Sequence, residues 1–64
     1  MLWRETEEIA MQLYEQYPHV DPRYINFVDL RHQILNLEEF EDDPEHCGER
    51  ILEQIQANWI EQWQ

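Results

Sequence analysis

The C-terminal run "ERILEQIQANWIEQWQ" constrains the fold most. Ile51, Leu52, Ile55, Trp59, Ile60 and Trp63 recur at intervals of one, three and four residues. Glu53, Gln54, Gln56, Glu61 and Gln62 fill positions between them. That spacing is the 3.6-residue repeat of an amphipathic helix, not the two-residue alternation of a strand. An apolar stripe this wide must be covered, so the rest of the chain has to supply its partners.

Two earlier segments can do so. From Glu7 to Tyr17 the residues Ile9, Ala10, Leu13 and Tyr17 make a second stripe. Thr6 offers an N-cap there, Glu7 and Glu8 suit the positive end of the helix dipole, and Pro18 ends the run. The next helix is expected to start after Asp29 as N-cap and to run to about Glu39. Leu30, Ile34, Leu37 and Phe40 would form its buried side. In between, Asp21-Pro22 suits a short turn of helix, and "INFVD" is a candidate extended stretch with Ile25 and Phe27 inward. The last helix can begin at Asp43-Pro44 or at the turn near Gly48, and the residues leave both open. Three helices with short connections predict one compact, mainly α domain over residues 1–64. At 64 residues such a domain is marginal, so its eight aromatic residues matter. Each one buried removes roughly 150–250 Å² from water.

Charge narrows the function. Fifteen Asp and Glu face four Arg and no Lys, a formal net charge of -11. A field of that sign repels nucleic acid and anionic membrane and attracts cations or basic protein surfaces. Disordered acidic chains lack aromatics and periodic apolar positions, and this chain has both. No apolar run reaches the roughly 20 residues of a membrane span. The start "MLWRETEE" lacks the signal-peptide pattern, and a single Cys permits no intramolecular disulfide. The expected location is therefore cytoplasmic.

The charge is densest at "EEFEDDPE", residues 38–45, with six carboxylates in eight positions. Three readings stand open on the residues alone. The stretch is a solvated turn in which Asp42 or Asp43 caps the last helix, a docking surface, or a site for a hard cation such as Ca²⁺, Mg²⁺, Mn²⁺ or Fe²⁺. The spacing is not that of an EF-hand loop, and Pro44 biases its neighbour away from helix. Phe40 reads as a core anchor beneath the turn, or as an exposed aromatic at the centre of a contact patch. His46 and Cys47 adjoin the cluster, but no second His or Cys follows at ligand spacing. His19 and His32 read as surface groups. No Ser-His-Asp or Cys-His-Asn order occurs, and one Gly makes no phosphate loop, so no enzyme is expected.

These residues carry a resemblance. "LYEQYPHVDP" fits the shape LYxxYPxxDP through Leu13, Tyr14, Tyr17, Pro18, Asp21 and Pro22. "FVDLRHQILNLEEFEDDP" is similar to FxDLxxxIxxLxxFxDDP through Phe27, Asp29, Leu30, Ile34, Leu37, Phe40, Asp42, Asp43 and Pro44. "ERILEQIQANWIEQ" resembles the closing helix, with Ile51, Leu52, Glu53, Ile55 and Trp59. Together they resemble the IscX family, small acidic proteins of bacterial iron–sulfur cluster assembly, over nearly the whole chain.

The resemblance implies a modified winged-helix fold and a monomer that binds the cysteine desulfurase supplying sulfur. The basic desulfurase surface involved is one also used by frataxin and ferredoxin. It also implies weak Fe²⁺ binding through surface carboxylates, no tightly bound cofactor and no catalysis. Carried over by position, the partner-binding face is Asp29, Glu38, Glu39, Glu41, Asp42 and Asp43. Weak iron is expected at Glu38, Glu41, Asp42 and Asp43, with Glu5, Glu7, Glu8 and Glu15 adding to the field. An iron chaperone donating Fe²⁺ to the assembly machinery is the alternative, and a nucleic-acid mimic is a third class. The chain departs from the family pattern at His46-Cys47-Gly48 and at Trp63, where a more acidic tail is expected.

Overall fold

The structure is a computed structural model that describes residues 1–64. Three helices appear: α1 over Thr6–Gln16, α2 over Phe27–Leu35 and α3 over Glu49–Trp63, with a single 3₁₀ turn at Pro44–His46. No residue is in a strand. The molecule measures 29 × 21 × 17 Å.

The stripes read from the sequence form the core. Ile9, Ala10 and Leu13 of α1 pack mainly against Leu52, Ile55 and Trp59 of α3. Leu30 and Ile34 of α2, followed by Leu37, close the third side. Tyr17, Ile51 and Trp63 sit at the margin, partly buried against the same cluster. One member of this core lies outside every periodic segment: Trp3, only 2% exposed.

Helix ends differ from the sequence expectation, and each difference has a local cause. Glu5, not Thr6, is the N-cap of α1. Thr6 is drawn elsewhere, because its hydroxyl accepts from Asn58 Nδ2 of α3 at 3.1 Å. Helix α2 starts three residues before the expected position, capped by Asn26. The Asn26 side chain accepts from Asp29 N at 2.8 Å and donates to the Asp29 carboxylate at 3.1 Å. That reciprocal pair is the logic of a capping box, and it places Asp29 inside the first turn. Phe27 is therefore helical, not extended. At the other end α2 stops at Leu35, short of Glu39. Asn36 N there donates to both His32 and Gln33 carbonyls, and Leu37 N donates to Ile34. This tightening satisfies the terminal carbonyls and releases the chain. Leu37 still turns inward, beyond the helix.

The segment at Asp21-Pro22 is a turn, not a helix. The Asp21 carboxylate accepts from Arg23 N at 3.0 Å and pairs with the Arg23 guanidinium at 2.8 Å. Arg23 also lies 5.1 Å from the Trp63 ring centre and 5.3 Å from that of Tyr24. Gln56 Nε2 donates to Pro22 O at 2.8 Å. The connection between α1 and α2 is thus fastened to α3 at two points.

Both candidate starts of the last helix are used. Asp43 caps the 3₁₀ turn through Glu45 N at 2.9 Å, and Gly48 then caps α3 without any side-chain hydrogen bond. Gly48 has φ -103° and ψ 161°, accessible to any residue, and a Cβ there would meet nothing within 4 Å. Gly48→Ser should therefore stabilise the fold by about 0.5–1 kcal/mol, through a new cap and a less flexible unfolded chain. A urea midpoint unchanged or lowered would contradict this.

Candidate functional site

The acidic stretch is an ordered turn built on the N-terminal segment. The Met1 ammonium donates to Glu39 O, and Glu41 N returns a bond to Met1 O at 3.0 Å. Trp3 N donates to Asp42 Oδ2 at 3.0 Å, and the indole Nε1 donates to Asp43 O at 2.8 Å. The Trp3 ring meets Phe40 edge-on, with centroids 4.5 Å apart and planes at 68°. Such a geometry suits the aromatic quadrupoles. Phe40 is half-buried against the core, which supports the anchor reading over the exposed one. Arg31 of α2 completes the frame by donating to Pro44 O at 2.9 Å.

The frame sorts the six face residues into different roles. Asp42 is partly buried and accepts from two backbone amides, those of Trp3 and of Asp43, the latter at 2.7 Å. These bonds hold its carboxyl below the ordinary value near 3.8, with His46 and Arg4 adding smaller pulls. Asp43 is the cap of the 3₁₀ turn. The His46 ring lies 4.0 Å from Asp42 Oδ1 and 3.7 Å from Asp43 Oδ2. Asp29 is bonded to Asn26 and sits at the opposite end of α2 from Glu38. Of the six, only Glu38, Glu39 and Glu41 are exposed with carboxylates engaged by neither a hydrogen bond nor an ion pair.

Of the four carboxylates expected to hold iron, Asp42 and Asp43 are thus bonded to backbone, while Glu38 and Glu41 are exposed. No three His, Cys, Asp or Glu side chains are grouped so as to hold a metal ion. Cys47 is half-buried, and burial pushes its thiol above the ordinary value, against a smaller pull from Arg31. Trp3 is the residue that sequence reasoning missed. Its one signal was a bulky aromatic in a short, otherwise polar lead-in.

Fold and site together define a small acidic helical protein, with three free carboxylates on a turn pinned by a buried tryptophan. The chain belongs to the iron–sulfur cluster assembly family. The family model described as "Iron-sulphur cluster assembly" matches residues 1–64, in agreement with the IscX resemblance. A protein of Pseudomonas aeruginosa, itself described as uncharacterized, is 58% identical over 60 residues, 94% of this chain and 91% of that protein. No helix is long and apolar enough to cross a membrane.

Two outcomes follow from the clamp. Trp3→Ala should destabilise the fold by about 3–5 kcal/mol, the usual cost of deleting a buried aromatic. Chemical denaturation measures it, and a loss no larger than that of an exposed-site substitution would refute the role. Asp42 should also give stability a pH dependence. Its folded pKa is depressed, so its contribution is full above the unfolded value. It fades as pH falls from there through the folded value. The urea midpoint of wild type should exceed that of Asp42→Asn at pH 7. The gap should close below about pH 4, the unfolded carboxyl range. A gap independent of pH would refute this account.

Proposed function

We propose that this protein is an acidic adaptor of iron–sulfur cluster assembly that docks on the cysteine desulfurase. The observation that carries the reading is the pinned turn, which offers Glu38, Glu39 and Glu41 free to solvent within a field of net charge -11. A fixed array of like charges speeds encounter with a basic surface and rejects acidic ones. The partner's basic surface is the one that frataxin and ferredoxin would compete for. The protein acts as a cytoplasmic monomer and not as an enzyme, and it modulates sulfur delivery. On this reading the three helices are those of a modified winged helix, and the charge makes phosphate contacts unfavourable despite that fold. Iron binds weakly, as a diffuse counter-ion to the same carboxylates, and is coupled to docking because it neutralises them.

The chaperone reading calls for a defined cage of oxygen ligands. Asp42 and Asp43 are bonded to the frame and Glu38 and Glu41 project outward, which favours the adaptor. The same division selects the variants to use. Reversing Asp42 or Asp43 would loosen the turn as well as change its charge. The triple variant Glu38→Gln, Glu39→Gln, Glu41→Gln alters charge alone.

Its affinity for the desulfurase, by calorimetric titration, should fall roughly tenfold or more, mostly through lost charge complementarity. Wild-type affinity should decline with added salt, and the helical circular dichroism of the variant should match wild type. Undiminished, salt-independent binding would overturn the docking reading. One tightly bound Fe²⁺ per chain, lost in the same variant, would favour the chaperone.

A further inference from the structure

A cavity of about 380 Å³ opens where α1 and α2 both end. Gln12, Gln16 and Tyr17 from the last turn and cap of α1 form one wall, and Asn36 and Leu37 form the other. Glu38 and Glu39 stand at its edge. The place is mainly electronegative, with His32 in the last turn of α2 and the Met1 ammonium on Glu39 O as the basic groups beside it. Two helix C-termini meet there, each the negative end of a dipole. The last turn of α1 holds no basic residue to offset its own. No Arg lines the cavity, since Arg23 is paired with Asp21 and Arg31 with Pro44 O. The side chains of Gln12, Gln16 and Asn36 make no hydrogen bond to other residues, so their amide oxygens are available as acceptors. Tyr17, half-buried, and Leu37, buried, are the two hydrophobic residues in an otherwise polar lining.

We infer that this cavity receives an arginine side chain projecting from the protein's partner. A guanidinium has five N–H donors in one plane, and the pocket supplies two carboxylates and three amide oxygens to accept them. The flat faces of the group are weakly hydrated and pack on the Tyr17 ring, as a compact ammonium cannot. Glu38 and Glu39 therefore act at a defined place, and the pocket selects arginine over lysine. Glu41, outside the cavity, contributes to the field only. This specificity rests on the docking reading for its biological partner, but its chemistry can be tested without one.

The test is a titration of the ¹⁵N-labelled protein with methylguanidinium, and separately with methylammonium, at constant ionic strength. Methylguanidinium should shift the signals of Gln12, Gln16, Asn36, Glu38 and Glu39 along one saturable curve, with methylammonium several-fold weaker. Glu38→Gln with Glu39→Gln should abolish saturation, and Glu41→Gln should leave it intact. Shifts spread over Glu7, Glu8, Glu45 and Glu49 as well, or equal responses to the two cations, would overturn the inference. A desulfurase that binds while the pocket ignores methylguanidinium would refute the pocket and leave docking standing. A pocket that binds methylguanidinium in a protein that no desulfurase binds would do the reverse.

Discussion

The turn that carries the free charge depends on Trp3. Six carboxylates within eight residues repel one another, and such a stretch left to itself stays extended and solvated. Trp3 opposes that tendency in three ways. Its ring is buried in the core and meets Phe40, its indole N–H satisfies Asp43 O, and its backbone N–H engages the Asp42 carboxylate. Burial of one large aromatic supplies the driving force, and the two hydrogen bonds convert it into a defined register. The other buried tryptophan offers a contrast. Trp59 contributes area alone, because its indole N–H is buried without a partner.

The clamp divides the acidic residues by what their oxygens do. Asp42, Asp43 and Asp29 accept from backbone or side-chain donors and set the geometry of the turn and of the start of α2. Glu38, Glu39 and Glu41 are held by none of these bonds, so their charge remains available to a cation or a basic surface. A carboxylate already bonded to backbone amides is costly to redirect, whereas one in solvent loses only water. The shorter Asp reaches its own neighbouring backbone, as it does in caps and Asx turns, while the longer Glu projects past it. Identical formal charges therefore serve structure or recognition according to side-chain length and position.

Much of the fold was legible in the stripes. Ile9, Ala10, Leu13, Leu30, Ile34, Leu37, Leu52, Ile55 and Trp59 were all placed in the core by their spacing, and all are buried. The caps were less legible, since Thr6, Asn26 and Asp29 can each serve as caps and local sequence does not say which is drawn off. Thr6 was taken by Asn58, 52 residues away, and only packing of α1 on α3 creates that option. Phe40 was readable as an anchor, but its partner Trp3 lies 37 positions earlier, with no periodicity to link them.

By itself the sequence determined three helices, the faces they bury, the strongly negative field, and the membership of a cluster-assembly family. Those follow from periodicity, composition and motif, all local or global properties of a string. Only the tertiary structure decided which carboxylates are free, where the helices stop and what their ends enclose. These are contacts between distant residues: Trp3 with Asp42 and Asp43, Thr6 with Asn58, and the ends of α1 and α2 around one cavity. "EEFEDDPE" reads as one uniform run of charge until residue 3 is laid against it. The physical reason is that a hydrogen bond or a buried ring commits a group to a partner in space, and spacing along the chain does not record that partner.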